Sequence, residues 1–316
     1  MTGHFEVAVI GGGVVGLAIL RRMAMAGLGC ILLERGADIL SGASKGNSAL
    51  LHTGFDAPPG SLELACMQAG HDEFLAIRAR LNLPLLETGA LVVAWSEAEL
   101  GKLEEIAARA RLNGVTDVAL IDAAGVRRRE PQLSAAALGA VAVPREHVID
   151  PWSTPLAYAH QALAHGASIR RNAEVRGGRF AQGRWRLDTA VGEVSARIVI
   201  NAAGNFGDIV EEIARPSPFS IRPRRGQFVV FDKPAAALVN AIVLPVPSER
   251  TKGVVLFRTI FGNLAIGPTA EDVEEREIAA CDGETLSRLR SHAPTIPPAP
   301  TNVGVNKTSP GLRPAS

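Results

Sequence analysis

The chain opens on a short apolar block, Phe5 to Ile10, closed at once by Gly11, Gly12 and Gly13. A block so short and continuous fits a strand buried on both faces of a parallel sheet. The period then changes. Val14, Leu17, Ala18, Leu20 and Ala24 recur at helical spacing, and Gly27 and Gly29 end that helix. A second apolar block, Cys30 to Leu33, closes on Glu34. Strand, helix and strand in immediate succession predict the first βαβ unit of a doubly wound sheet.

Further along, residues 65–81 mix polar and apolar positions at helical spacing, and "ALVVAW" at 90–95 reads as a strand. Residues 96–114 predict a helix with Ser96 as N-cap, Glu99 at the capping-box position and Gly114 at its end. A strand and a loop then lead to a helix from about Thr154 to His165, ended by Gly166. His160 and His165 are placed on that helix's surface, and neither is assigned a metal. From Ile169 the pattern turns to three or four short strands with glycine turns, the last of which, Arg197 to Asn201, exits into Ala202, Ala203 and Gly204. A small-residue exit lets a backbone or a ligand come close. Strand alternation returns within 221–233, and residues 253–272 read as a hairpin turning near Gly262 and Asn263. The tail from His292 to Ser316 is rich in proline, and the residues before it show no C-terminal helix or strand that would close a domain.

Composition narrows the classes. Apolar residues make up 47% of 316 and aromatic ones only 4%, so the core is expected to be Ala, Val, Leu and Ile. Thirty-three basic residues stand against 32 acidic ones, which gives no case for nucleic acid or an anionic membrane surface. No run is apolar and long enough to span a bilayer, and no secretory signal opens the chain. Cys30, Cys66 and Cys281 form no metal or disulfide spacing. They read as reduced thiols, and the expected location is the cytoplasm.

The candidate chemistry begins at the first turn. Gly11, Gly13 and Gly16 stand at G-x-G-x-x-G spacing, in the strand-to-helix context that this motif requires. They would serve the tight turn, the approach of a pyrophosphate and close helix–strand packing, while the helix N-terminus offers N–H groups to phosphate. Glu34 is placed to accept hydrogen bonds from ribose hydroxyls. The same fingerprint serves NAD and FAD. Just after it, "GASKGNSALLHTGFDAPPGSL" at 42–62 gathers Ser44, Lys45, Asn47, Ser48 and His52 in one loop. Read without context, that loop is either a solvated connection or a wall of donors for an anionic cofactor.

The ordered set of motifs resembles flavoproteins of the D-amino-acid-oxidase superfamily, and within it the FAD-dependent glycerol-3-phosphate oxidases and dehydrogenases. The matching pieces are "AVIGGGVVGLAI" with "LLERG", "SKGNSALLHTGFDAPPGSL", "HVIDPWSTPLAYAHQALAHGA", "AEV" with "VINAAG", "RPRRGQFVVFDK", "TKGVVLFRTIFGNLAIGPTAED" and "NKTSPGLRP". The resemblance implies FAD as cofactor, a parallel-sheet Rossmann-like domain from residues 1–90 and 145–215, and an α+β substrate domain with an antiparallel sheet from 91–144 and 216–310. It implies that Arg35, Ser44, Lys45, Asn47, Ser48, Val175, Ala203 and Gly204 join the glycines and Glu34 at the cofactor. It places His52 beside the flavin as the base, Arg313 as the cation for a small anionic substrate, and Lys252 over the flavin. Each of these three has a plainer reading: a structural histidine, an exposed tail arginine, a surface lysine.

The implied reaction is oxidation of a secondary alcohol, first sn-glycerol-3-phosphate. An L-2-hydroxy acid such as 2-hydroxyglutarate, or an amine, is the alternative. The family pattern continues past "GLRP", so 311–316 is expected to begin a missing C-terminal FAD segment, and a truncated, non-catalytic FAD-binding remnant is a further alternative. Association with a membrane surface or a second subunit is not readable from the sequence.

Overall fold

The computed structural model describes residues 3–247, 253–292 and 304–315. The chain begins with β1 (Gly3–Ile10), α1 (Val14–Met25) and β2 (Cys30–Leu33). After the polar loop come β3 (Leu50–Leu51), α2 (Leu62–Leu81), β4 (Leu85–Glu87) and β5 (Ala90–Ala94). They are followed by α3 (Glu97–Leu100), α4 (Leu103–Leu112), β6 (Ala119–Asp122), α5 (Ala123–Arg129), β7 (Gly139–Val143) and β8 (His147–Ile149). Next are α6 (Ser153–Ala164), β9 (Ser168–Arg170) and a meander of β10 (Val175–Ala181), β11 (Arg184–Thr189) and β12 (Gly192–Asn201). The remainder is α7 (Gly207–Glu211), β13 (Arg224–Phe231), β14 (Ile242–Pro245), β15 (Val255–Arg258), β16 (Leu264–Gly267), β17 (Glu271–Asp272), α8 (Gly283–His292) and β18 (Val305–Arg313).

One sheet has the order β10-β11-β12-β1-β2-β9. Strands β12, β1, β2 and β9 run parallel, and the meander joins antiparallel at β12. Ile10 pairs with both Leu33 and Asn201, so Gly11, Glu34 and Ala202 leave the sheet at one edge. The continuous apolar run of β1 is explained by burial on both faces. Val7 and Val9 pack with Leu17 and Leu20 of α1 and with Ala159 and Ala162 of α6. Ala8 and Ile10 pack on the other side with Leu187 and Val194.

The larger sheet runs β17-β13-β16-β15-β14-β5-β7-β6, with β18 on β13. It is antiparallel except where β14 pairs with β5. Alternation along β5 again buries both faces: Leu91 and Val93 lie with Phe231 and Leu264, whereas Ala90, Val92 and Ala94 lie with Ala107, Ala110 and Phe257. A three-stranded sheet, β3-β8-β4, stands beside them. Among the described residues no helix is long and apolar enough to cross a membrane.

Two expectations need correction. The helix over 96–114 is two helices, broken at Gly101, because α3 buries nothing while α4 turns Leu103, Ala107 and Ala110 into the core. Ser96 does cap α3, but the Glu99 carboxylate accepts from Trp95 N rather than from the cap residue. A helix does precede the tail, α8, and a strand, β18, lies within it. Pro310 hid the strand; it is tolerated because, among the described residues, β18 is an edge strand that pairs with β13 alone.

Candidate functional site

The parallel strands deliver three turns to one edge, and each turn is fixed by its own sequence. Gly11 has φ +110°, and a Cβ there would overlap the carbonyl oxygen of Ala202. One on Gly16 would overlap the carbonyl of Gly11. Only glycine permits both approaches. Beyond them, α1 starts at Gly13 with no capping side chain of its own and no acidic residue in its first turn. Val14 and Val15 are exposed there, and Ser44 Oγ accepts from Val14 N at 2.9 Å. A Cβ on Gly13 would meet only that hydroxyl, at 3.2 Å, and one on Gly204 would meet nothing within 4 Å. The start of α1 is thus free of bulk apart from that hydroxyl, and the N–H groups of such a helix start can hold a pyrophosphate.

At the end of β2, Glu34 accepts from Gly12 N through Oε2 and from Gly36 N through Oε1, both at 2.7 Å. These two bonds fix the carboxylate at the glycine turn, and each oxygen keeps a lone pair for a ribose hydroxyl. Arg35 follows Glu34 in the chain. Its guanidinium lies 3.7 Å from the centroid of Phe206 and pairs with Glu277 at 3.0 Å. Ala203 and Gly204 sit across from Gly11, with Ala203 N held by Asn201 Oδ1. Val175 opens β10 at a bulge and packs on the face that holds Ala8, Ile10 and Leu187.

The polar loop is organised from within. Asn47 spends both ends of its amide on it, donating to Ser44 O and accepting from Ala49 N. Ala49 is held at φ +56°, and its carbonyl accepts from Ile149 N. Lys45 is exposed, and its carbonyl accepts from Trp152 Nε1. Ser48 is half-buried. Gly46 lies directly on Pro310 and Gly311 of β18.

The loop ends at His52, whose Nδ1 lies 2.7 Å from Glu146 Oε2. Glu146, in the turn between β7 and β8, is completely buried, and His52 is about one-third exposed. The other carboxylate oxygen accepts from Thr53 N at 2.6 Å and from Thr53 Oγ1 at 2.7 Å. Sequence reasoning missed Glu146. A charged residue between two short apolar runs reads as a solvated turn, and its partner is 94 residues away. Next to it, burial pushes His147 below its ordinary value.

Arg313 is exposed on β18, opposite Arg224 of β13. Arg224 pairs with Asp272 at 2.7 Å, and Asp272 is held below the usual carboxylate range by that bond first and by the nearby charges of Arg222 and Arg313. Lys252 lies outside the described residues. A second network joins the two larger sheets, also unseen in the sequence. Arg276 donates to both oxygens of Asp208 at 2.7 and 3.0 Å, and to the carbonyls of Asn205 and Ile221. Asn205 in turn donates to Leu312 O on β18.

Comparison with known proteins identifies the family. The chain is 30% identical over 310 residues to the glycerol 3-phosphate dehydrogenase of Caloramator mitchellensis, covering 98% of this chain and 64% of that protein. It thus spans less than two thirds of that relative's length. The human mitochondrial L-2-hydroxyglutarate dehydrogenase is 25% identical and is matched over 87% of this chain and 63% of its own. The fold superposes on the dithionite-reduced, FAD-bound L-alpha-glycerophosphate oxidase of Mycoplasma pneumoniae with a TM-score of 0.89, at 24% identity, over 99% of this chain and 84% of that one. The family model described as "FAD dependent oxidoreductase" matches residues 6–316. The chain belongs to this family of FAD-dependent oxidoreductases, and its glycine turn, Glu34 and open α1 N-terminus are the parts that fit FAD.

Proposed function

We propose that the protein oxidises a small anionic secondary alcohol to the ketone, with sn-glycerol-3-phosphate as the first substrate and dihydroxyacetone phosphate as its product. The observation that carries this reading is the loop from Ser44 to His52. One end bonds the N-terminus of α1, where the pyrophosphate would lie, and the other presents an imidazole backed by a buried carboxylate. When bound, FAD would supply the acceptor for the hydride from the carbinol carbon. His52 takes the hydroxyl proton, a task suited to imidazole because it titrates near working pH. The substrate's negative charge requires a cation, and Arg313 is the candidate. Its strand rests on the same loop through Gly311, and alternation puts Gly311 and Arg313 on one face.

The 25% identical L-2-hydroxyglutarate dehydrogenase supports a second reading, a 2-hydroxy acid, which the same base and guanidinium would serve. The test is anaerobic mixing of the FAD-loaded protein with glycerol-3-phosphate, L-2-hydroxyglutarate or glycine, following the visible flavin absorbance. Bleaching by glycerol-3-phosphate alone supports the first reading. Bleaching by the hydroxy acid alone moves the assignment to the second. Bleaching by neither alcohol removes the alcohol-oxidation proposal.

A further inference from the structure

We propose that Glu146 is the positioning residue of His52, fixing both the tautomer and the plane of its ring. This deepens the proposed function and rests on reading His52 as the base. Glu146 is 0% exposed, and a carboxylate taken out of water is stable only where donors replace its hydration. Three donors do so here: Thr53 N, Thr53 Oγ1 and the His52 ring. Thr53 supplies two of them from the residue next to His52, so the carboxylate clamps the backbone and the ring together. A carboxylate only accepts, so the neutral ring carries its proton on Nδ1 and its lone pair on Nε2. When His52 takes the substrate proton at Nε2, the ring becomes a cation facing a buried anion at 2.7 Å. No bond to Glu146 is made or broken in that step.

Arg145 and His147 flank Glu146 in the chain, and Arg145 pairs with Asp117. His71 of α2 contacts Arg145 O through Nε2, and Glu87 of β4 lies across from His147.

Glu146→Gln is the informative variant. Its amide oxygen can still accept from Thr53, but its NH2 group now faces His52 Nδ1 and demands an acceptor there. The proton moves to Nε2 and the base is blocked. With the FAD-loaded protein, the turnover number is expected to fall about a hundredfold or more, on the precedent of tautomer reversal in a catalytic triad. KM should change only a few-fold, and FAD retention should be unchanged. The residual activity should rise with pH at lower pH than in the wild type, because the anion that favours the charged ring is gone. Nitrogen NMR of the histidine rings reads the tautomer without turnover, with His52→Gln to assign the signal. The wild type is expected to be protonated on Nδ1 and Glu146→Gln on Nε2. A wild-type ring protonated on Nε2 overturns the proposal, and that measurement requires no folded variant. An unchanged turnover number and pH profile in Glu146→Gln overturns it as well. If wild-type protein bleaches with no alcohol while the tautomer reverses as expected, the proposed function fails and the clamp stands.

Discussion

Gly46 and Gly311 meet backbone to backbone. A Cβ on Gly46 would stand 2.6 Å from Pro310 O, and one on Gly311 would overlap the carbonyl of Gly46. This contact ties the polar loop of the nucleotide-binding edge to the last strand of the antiparallel sheet. Backbone cannot yield as a flexible side-chain end can, so the loop must lift to admit a methyl group. Gly46→Ala is expected to lower thermal stability and to release FAD on gel filtration. Gly42→Ala is the matched control, because a Cβ there meets nothing within 4 Å. Equal flavin retention in both variants would show that the contact does not hold the loop.

Ser44 is the only side chain found bonding the first turn of α1 among the described residues. Ser44→Ala leaves Val14 N without that partner. A lost N-terminal cap costs about 1 kcal/mol, and a urea melt of the FAD-free protein should show a loss of that size. FAD should also bind more weakly, since the hydroxyl stands where Gly13 opens to the phosphates. A melt unchanged from wild type would assign Ser44 no capping role.

What could be read from the sequence divides along the range of the interactions. The βαβ unit was legible because its signals are local: an apolar block for a doubly buried strand, a change of period at Val14 and an acidic residue at the end of β2. The hairpin around Gly262 was legible for the same reason. Glu146, by contrast, acquires meaning only from His52, 94 residues earlier. Asn205 and Asp208 are joined to Arg276 across 71 and 68 residues, and none of the three carries a pattern of its own. β18 was hidden by its proline, and whether an edge strand tolerates proline depends on which side its neighbour lies. The split of α3 from α4 was set by the core that α4 meets, which overrode a continuous helical pattern. Of the candidate site, the loop and its histidine stand together in the sequence; the buried carboxylate bonded to that histidine is visible only in the fold.

The Asp208–Arg276 pair gives a pH dependence with a definite sign. The guanidinium bonds first, together with the backbone N–H groups of Ile221 and Ile209, hold Asp208 down to about 2, against an ordinary value of 3.8. A depressed carboxylate contributes stability that is fully present above its ordinary value. That contribution is lost as pH falls from 3.8 through about 2. Asp208→Asn should therefore be less stable than wild type at neutral pH, by about 3 kcal/mol if the loss matches that of other largely buried pairs. The difference should shrink as the pH approaches the lower value. Urea midpoints of both proteins from pH 6 down to about 2.5 measure it, over the range where linkage acts. A gap independent of pH would mean that the pair's charge contributes nothing and that only its packing matters.

Trp152 and Phe261 stack across the two larger sheets. Their ring centroids are 5.5 Å apart and their planes differ by 24°. Trp152 caps the start of α6, which packs on the parallel sheet, and Phe261 lies in the turn between β15 and β16. The indole N–H also reaches Lys45 O, so the stack, the hairpin turn and the polar loop form one connected wall. Both rings remain partly exposed, at 38% and 48%, so little of their role is core packing. A stacked aromatic pair contributes about 1 kcal/mol beyond its buried area. A double-mutant cycle of Trp152→Ala and Phe261→Ala should return a coupling of that size in the urea midpoint. If the wall steadies the loop that carries His52, each single variant should also raise the KM for the oxidised alcohol more than it lowers the turnover number, because loosening the wall weakens substrate binding without touching the His52–Glu146 pair. A coupling near zero would reduce the stack to two surface rings that happen to lie side by side, and an effect on turnover alone would place its influence on the base rather than on the wall.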